Sequence, residues 1–230
     1  MAVAIIPARG GSKRIPHKNI RNICGKPMIS WPIYTALMSN VFSAVRVTTD
    51  CPEIARVSQD AGAEVPHLRD VDLADDYTSL DAVVRDAISV NRESDDWVCM
   101  IYATAIMLRP QTLQLANELA MAAQLETDFI IGVRPYPHPP QRAIRFDADN
   151  NVSMVATENA VIRTQDLEPL YHDAAQFVFG RRSAWMNGRT VWNSITQGVI
   201  IPSNEAVDID TPDDLMVAEA LLNAKRTKRR

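Results

Sequence analysis

A glycine-rich segment near the amino end contains the side chains best suited to chemistry. This segment, residues 8–19, is called here the cationic loop; it directly follows the apolar run 2–6 and contains Gly10, Gly11 and Ser12. A buried strand that ends in such a turn presents backbone N–H groups at the mouth of a sheet, where a phosphate chain can bind. Residues 1–49 contain seven Lys or Arg and no Asp or Glu, although the chain has a formal net charge of −4. The asymmetry favours a small polyanionic ligand, and the alternative is a tight turn with a solvated basic surface.

The spacing within the cationic loop matches neither of the two common phosphate-binding motifs. It lacks the Gly-x4-Gly-Lys-Ser/Thr pattern of a P-loop, and it lacks the Gly-x-Gly-x-x-Gly fingerprint of dinucleotide-binding folds. A nucleotide site therefore needs support from residues elsewhere in the chain.

A second group of reactive side chains lies close to the carboxyl end. Asp208 and Asp210 are two residues apart on a segment that we expect to be extended, so both carboxylates leave the same face and can share one Mg²⁺ ion. Without a cation or a cationic partner they would repel, and one pKa would rise. Thr211 and Asp214, with Pro212 between them, instead predict a capped helix start.

Length and composition favour one α/β domain over residues 1–230, with a full hydrophobic core and a small appendage. The three cysteines are odd in number and lack disulfide or metal spacing, so we expect reduced thiols in the cytoplasm. No run has the form of a signal peptide or a membrane span. For the basic tail 225–230 a solvated end is favoured over contact with nucleic acid or membrane.

The positions of apolar runs and breakers predict the elements that hold these residues. Strands are predicted at 2–6, 45–49, 63–67, 97–102 and 129–133 and at the end of 171–180. Helices are predicted at 26–37 with Ser30 as cap, from Pro52 to Gly62, at 80–90, at 110–125, and after Thr211. This alternation predicts a doubly wound, mostly parallel sheet. Asp50 ends the second strand, where it is either a ligand-binding residue or a helix cap.

The alternation breaks at residues 135–170, called here the excursion. Four prolines occur within residues 134–140, which excludes regular structure there. The excursion is suited to pairing with a second subunit, and a long surface insertion is the alternative.

Several of these segments together resemble a known family. The cationic loop, Leu68-Arg69 with 73–76, 163–167 and 208–211 resemble, in type and order, the acylneuraminate cytidylyltransferases, which activate nonulosonic acids as CMP-sugars. Residues 102–105, 163–167 and 171–174 are most similar to the bacterial pseudaminic acid cytidylyltransferases. Residues 102–106 and 174–175 depart from the sialic acid enzymes, and Ile106 also departs from the proline expected in the pseudaminic branch.

The resemblance implies transfer of CMP from CTP to a nonulosonic acid, with release of pyrophosphate. It implies catalytic roles for Arg9, Lys18, Asp208 and Asp210, with Mg²⁺ on the two aspartates. It implies nucleotide binding by Ala8, Gly10, Gly11, Ser12, Asn19, Arg69, Thr78 and Ser79. Sugar binding is expected from Tyr102, Thr104, Arg163, Gln165, Asp166 and His172, for which structural pairing is the alternative.

The resemblance also implies a homodimer in which Arg163 acts within its own subunit or across the interface. We expect CTP and the sugar acid as partners, and neither nucleic acid nor membrane. The rival hypotheses are activation of another acid (legionaminic, sialic or Kdo) and a non-catalytic nucleotide-binding regulator of the same fold. The paired aspartates argue against the regulator, because nucleotide binding alone needs no metal pair.

Overall fold

The structure is a computed structural model that describes residues 2–227; residues 228–230 of the basic tail, predicted to be a solvated end, lie outside the described residues. Its strands are β1 (Ala2–Pro7), β2 (Asn22–Ile23), β3 (Lys26–Pro27), β4 (Phe42–Thr48), β5 (Trp97–Ile101), β6 (Thr127–Pro135), β7 (Ile144–Phe146), β8 (Val152–Met154), β9 (Tyr171–Arg181) and β10 (Ile195–Ile200). Its helices are α1 (Ser30–Ser39), α2 (Pro52–Asp60), α3 (Leu80–Val90), α4 (Pro110–Ala122), α5 (Arg182–Met186) and α6 (Pro212–Thr227).

The main sheet has six strands in the order β10-β6-β9-β5-β1-β4. β1 is parallel to both β4 and β5, and β10 is parallel to β6, whereas β9 is antiparallel to β5 and β6. The predicted doubly wound, mostly parallel sheet is confirmed. The sequence patterns missed β10, an edge strand whose mostly solvent-accessible residues include Gln197 and Gly198 and therefore lack a continuous apolar run.

Both faces of the sheet are covered, which explains the uninterrupted apolar sequence of β1. Ala4 and Ile6 of β1 belong to a cluster that includes residues of α1, α2 and α4, and Val3 and Ile5 belong to a second cluster with α3 and α5. Successive residues of one strand thus enter opposite cores, as the two-residue period of a strand requires.

A third apolar cluster joins the two ends of the chain. Ile15 of the cationic loop and Met28 are buried in the same cluster as Ile209 and Leu215, with Leu222 of α6 beside them. Burial of these side chains holds the segment before α6 against the cationic loop. This packing, rather than any local pattern, decides where Asp208 and Asp210 lie.

Three local predictions were wrong. The strand predicted at 63–67 is reduced to a single bridge between Arg46 and Glu64, because Pro66 cannot continue the ladder. The helix predicted from residue 26 begins only at Ser30, since Lys26–Pro27 pair with β2. Ser30 itself is buried inside α1 and is not its cap.

The helices predicted at 52 and at 80–90 are confirmed, as is the start of α6. Gly62 follows α2 with a φ of +98°, a conformation that favours glycine after a helix. At α6, the Thr211 hydroxyl accepts the Asp214 N–H at 3.2 Å, and the Asp214 carboxylate accepts the Thr211 N–H at 2.7 Å. These reciprocal bonds form the predicted capping box.

The excursion leaves the sheet at the end of β6 and returns at the start of β9. It contains the β7–β8 hairpin and several single 3₁₀ turns. No helix within residues 2–227 combines the length and the apolar character that crossing a bilayer requires.

Candidate active site

A cleft of about 520 Å³ opens where β1 and β5 end, beside the end of β4. Open α/β sheets bind ligands at this carboxyl edge of their strands. The cleft brings together ten of the residues predicted for the site: Ala8, Arg9, Ser12, Lys18, Asn19, Arg69, Thr78, Tyr102, Thr104 and Asp210.

The cationic side chains in the cleft are paired with carboxylates. An Arg9 guanidinium nitrogen lies 2.8 Å from an Asp76 oxygen and donates to the backbone carbonyl of Asp75 at 2.7 Å. Lys13 pairs with the same Asp76 carboxylate, and hydrogen bonds from Lys13 and Arg9 lower the pKa of Asp76. The Asp76 carboxylate therefore neutralises two cations of the loop, as the phosphates of a bound nucleotide would.

The two ends of the chain meet at Asp210. One Asp210 oxygen lies 3.4 Å from the Lys18 ammonium, and the other lies 3.0 Å from the Arg14 guanidinium. Lys18 also donates to the backbone carbonyl of Ile209 at 2.8 Å. Arg9 and Asp210, near opposite ends of the sequence, line one cleft.

Of the two aspartates predicted to share a cation, Asp210 lines the cleft and Asp208 does not. Ile209 between them is fully buried, which fixes the register of this extended segment. Desolvation, followed by the neighbouring Asp210 carboxylate, raises the pKa of Asp208. Within residues 2–227 no group of three or more His, Cys, Asp or Glu side chains forms a metal site. Carboxylate oxygens are ligands that Mg²⁺ accepts, so Asp208 and Asp210 are the residues that could hold it.

Of the three backbone amides predicted to cradle a phosphate, those of Gly10 and Ser12 already have partners within the protein. The Gly10 N–H donates to the Asp50 carboxylate at 3.0 Å, and the Ser12 N–H donates to the Gly10 carbonyl at 3.0 Å. The Asn19 side chain, which is buried, donates to the Arg9 carbonyl at 2.9 Å and so holds the loop. Gly10 and Gly11 do not line the cleft as Arg9 and Ser12 do.

Thr78 and Ser79 were also predicted to bind the nucleotide, but only one of them lines the cleft. Thr78 lines the cleft, and its backbone N–H donates to the Asp75 carboxylate at 2.6 Å. Ser79 does not line the cleft; it is the N-cap of α3, where its hydroxyl accepts the Ala82 N–H at 3.2 Å.

Tyr102 and Thr104 line the far side of the cleft, beyond the end of β5. Burial, followed by the carboxylates of Asp173, Asp208 and Asp81, raises the pKa of the Tyr102 phenol. The phenol therefore stays neutral and able to donate a hydrogen bond. The sequence patterns missed Asp81 and Asp173, whose own pKa values are raised by desolvation. A signal for Asp173 existed, because it lies within the segment 171–174 that carries the family resemblance.

The other residues predicted to bind the sugar lie outside this cleft. Arg163 is exposed on the excursion and pairs with Asp166 at 2.7 Å, three residues away, and Gln165 lies in the same 3₁₀ turn. The His172 ring packs on Tyr136 with centroids 4.8 Å apart, and its Nδ1 lies 2.8 Å from the Asp173 carbonyl oxygen. Within one described chain, the structure brings only Tyr102 and Thr104 of this group to the cleft.

Comparison with known proteins identifies the family. A family model described as cytidylyltransferase matches residues 3–193. The chain belongs to the cytidylyltransferase family. It is therefore a nucleotidyltransferase, as the motifs predicted.

Alignments with two named relatives extend over nearly the whole chain. It is 40% identical over 222 residues to a pseudaminic acid cytidylyltransferase of Campylobacter jejuni, covering 95% of each chain. It is 31% identical over 230 residues to a CMP-N,N'-diacetyllegionaminic acid synthase of Legionella pneumophila, covering 96% of this chain and 95% of that one.

The fold also has a solved counterpart. The structure of a CMP:2-keto-3-deoxy-manno-octonic acid synthetase complexed with CTP is similar with a TM-score of 0.75, covering 97% of this chain and 99% of that one. The sequence identity of 18% limits that comparison to the fold.

Proposed function

We propose that this cytidylyltransferase transfers CMP from CTP to a nonulosonic acid, with pseudaminic acid as the first candidate. One observation carries the proposal: a single cleft at the carboxyl edge of the sheet joins the cationic loop to Asp210. In the proposed reaction the anomeric hydroxyl oxygen of the sugar acid bonds to the α-phosphorus of CTP. The bond from that phosphorus to the bridging oxygen breaks, pyrophosphate leaves, and the proton of the hydroxyl is released to water.

The cations of the cleft bind the triphosphate in this proposal. Arg9 and Lys18 stabilise the charge on the phosphates, and Ser12 lies beside them on the cationic loop. To do so, Arg9 exchanges its contact with Asp76 for a phosphate oxygen, and Lys18 moves away from Asp210. Such an exchange replaces one charge-assisted contact with another, so the cations are never left without a counter-charge.

Asn19, Arg69 and Thr78 are proposed to hold the cytidine, while Ser79 supports them as the cap of α3. Arg69 is almost fully buried, and burial lowers the pKa of its guanidinium, although the Asp50 carboxylate opposes this shift. A buried guanidinium that faces the cleft is held in one geometry and can present a fixed set of donors.

Asp208 and Asp210 are proposed to hold Mg²⁺ together with phosphate oxygens. When bound, the ion would neutralise charge on the phosphates and lower the pKa of a coordinated hydroxyl. Asp210 can accept the ion once Arg14 and Lys18 turn from its carboxylate toward the phosphates.

The candidate sugar acids are inferred from the names of the two relatives described above. The 40% identity to a pseudaminic acid cytidylyltransferase over 95% of the chain favours pseudaminic acid. The 31% identity to a CMP-N,N'-diacetyllegionaminic acid synthase makes legionaminic acid the second candidate. Tyr102 and Thr104 are the residues proposed to contact the sugar acid within one chain.

The excursion is proposed to pair with a second copy of the chain. Its exposed apolar side chains include Ile144, Phe146, Val152 and Val155, and Phe146 is 68% exposed. A homodimer would bury this surface and could bring Arg163, Gln165 and Asp166 of one copy toward the cleft of the other. Cysteine content without disulfide spacing supports a cytoplasmic location.

A pyrophosphate-release assay tests the proposed function. The purified full chain is incubated with CTP and Mg²⁺ and, in separate reactions, with pseudaminic, legionaminic, sialic or Kdo acid. We expect release with CTP and pseudaminic acid, and none with ATP, GTP or UTP. Release with another acid instead would move the proposal to that substrate. If CTP binds but no acid supports release, the non-catalytic regulator becomes the better hypothesis.

A further inference from the structure

Asp50 is a partly buried carboxylate, 19% exposed, that the proposed reaction does not use. It follows β4 at the carboxyl edge of the sheet, where the sequence predicts either a ligand-binding residue or a helix cap. In the structure Asp50 does not line the cleft. Helix α2 has Cys51 at its N-cap position, and no side-chain hydrogen bond caps it. The Asp50 side chain instead turns toward the cationic loop.

Its first partner is the backbone of Gly10. The Gly10 N–H donates to Asp50 Oδ1 at 3.0 Å, across 40 residues of sequence. The turn lies so close to the end of β4 that a Cβ added to Gly10 would meet the Cys51 Cβ at 3.0 Å. A larger residue at position 10 would therefore push the loop or Cys51 away, and the hydrogen bond to Asp50 spans this close approach.

Its second partner is Arg69. An Arg69 Nη2 nitrogen lies 3.8 Å from the same Asp50 Oδ1. The Arg69 backbone N–H donates to the Thr49 carbonyl at 2.7 Å, and Nη1 donates to the Thr48 carbonyl at 3.3 Å. The side chain of Arg69 is only 3% exposed, so its charge needs a nearby carboxylate.

Arg69 keeps one donor without a protein partner. Its Nε is buried and has no hydrogen-bond partner among the described residues. Because Arg69 lines the cleft, this unpaired donor lies in the wall of the proposed ligand site. Asp50 therefore contacts two elements that each present a charged side chain to the cleft: the turn that follows Arg9, and Arg69 itself.

We propose that Asp50 is a positioning residue that sets the spacing between the cationic loop and Arg69. One carboxylate oxygen thereby couples the phosphate side of the cleft to its nucleoside side. This inference rests on the proposed function, because it assumes that CTP spans both sides. It predicts that loss of Asp50 weakens CTP binding specifically and leaves the affinity for the sugar acid unchanged.

The first test is kinetic and uses the variants Asp50→Asn and Asp50→Ala in the full chain. Asn keeps the volume and an acceptor oxygen but removes the charge, whereas Ala removes both. We expect KM for CTP to rise about 3- to 10-fold for Asp50→Asn and about 10- to 100-fold for Asp50→Ala, with KM for the sugar acid within twofold of wild type. The matched control is Asp60→Asn, on an exposed carboxylate of α2 that pairs with Arg56; its KM for CTP should not change.

The second test does not depend on activity. Arg9-Gly10 is the only Arg-Gly dipeptide in the sequence. Labelling with [¹³C-carbonyl]arginine and [¹⁵N]glycine therefore gives a single HNCO cross-peak, from the Gly10 amide. We expect the Gly10 amide proton to resonate downfield in the wild type, because it donates to a carboxylate. Its shift should move upfield in Asp50→Asn and further upfield in Asp50→Ala, and it should not change in Asp60→Asn.

The outcomes separate the two proposals. If the wild type releases no pyrophosphate from CTP with any acid, the proposed function fails, and the NMR series still decides whether Asp50 anchors Gly10. If the wild type is active and Asp50→Asn matches Asp60→Asn in KM for CTP and in the Gly10 peak, the inference about Asp50 is overturned. An equal rise in both KM values would also overturn it. Asp50→Asn keeps the volume of the side chain, so it decides the question even where Asp50→Ala fails to fold.

Discussion

The cationic loop and the excursion are held in opposite ways. The loop is fixed by partners far away in sequence: Gly10 donates to Asp50, and Lys18 contacts the Ile209–Asp210 segment. The excursion relies largely on contacts within itself, such as the pair between Arg163 and Asp166. Its apolar side chains face solvent, whereas Ile15 of the loop is buried.

This difference separates two halves of the proposed site. One chain completes the proposed nucleotide half, and it leaves the proposed sugar half open. The nucleotide half has its cations, its acidic pair and its supporting core within one subunit. The sugar half has Tyr102 and Thr104 in place, but Arg163 lies outside the cleft on a surface that no part of residues 2–227 covers. Substitutions in the two regions should therefore have different effects, which makes the comparison testable.

The largest effect is expected at Asp210. Asp210→Ala should abolish Mg²⁺-dependent pyrophosphate release, because it removes one of the two carboxylates proposed to hold the ion and the partner of both Lys18 and Arg14. Circular dichroism and the melting temperature should remain those of a folded protein. Asp213→Ala, on an exposed residue of the first turn of α6, is the control and should keep its activity. Retained turnover in Asp210→Ala would remove the metal assignment.

The next effect is expected at Arg9. Arg9→Ala should lower kcat/KM. The loss should correspond to about 2–4 kcal/mol of transition-state stabilisation, the range for losing one preorganised charge. Steady-state kinetics with CTP measures this loss. Arg56→Ala, on an exposed arginine of α2, removes a similar charge outside the cleft and should cost nothing measurable. A normal kcat/KM for Arg9→Ala would place Arg9 outside the reaction.

A smaller and different effect is expected from the excursion. Phe146→Asp puts a charge on its exposed apolar surface and should shift the protein from dimer to monomer in light scattering. We expect a rise of about 10-fold in KM for the sugar acid, with CTP binding by calorimetry unchanged. Leu125→Asp, on an 88% exposed leucine before β6, is the control. A monomeric wild type, or a dimeric and fully active Phe146→Asp variant, would contradict this interface.

The smallest effect is expected at the turn of the β7–β8 hairpin. Hydrogen bonds from Asn151 lower the pKa of Asp147, so the carboxylate stabilises the turn above its unfolded pKa and stops doing so as the pH falls through its folded value. Asp147→Asn should reduce hydrogen-exchange protection of the Asn151 amide at neutral pH. It should change the melting temperature by less than about 2 °C, because the turn is exposed. Equal protection in both proteins would show that the carboxylate contributes nothing to the turn.

The cleft itself was only partly predictable. Ala8, Arg9 and Tyr102, which follow strand ends, line it, because the sheet edge follows from the strand pattern. Asp50, predicted to be a ligand-binding residue or a cap, also follows a strand end, but it neither caps α2 nor lines the cleft, and its partners lie 40 and 19 residues away. Ser79 illustrates the same limit: a serine before a helix caps it whether or not a ligand lies nearby.

The sequence by itself determined the alternation of strands and helices, the charge of the cationic loop and the capped start of α6, because each depends on residues within a few positions of one another. It also identified the family, since its motifs occur in order along the chain. Only the tertiary structure decided which carboxylate neutralises which cation. Asp76 lies against Arg9 and Asp50 against Gly10 through contacts between distant parts of the chain. Asp210 lies against Lys18 because the buried side chains of Ile15 and Ile209 pack in one cluster, although they are far apart in sequence. Such packing depends on volume and burial in three dimensions, and no local spacing records it.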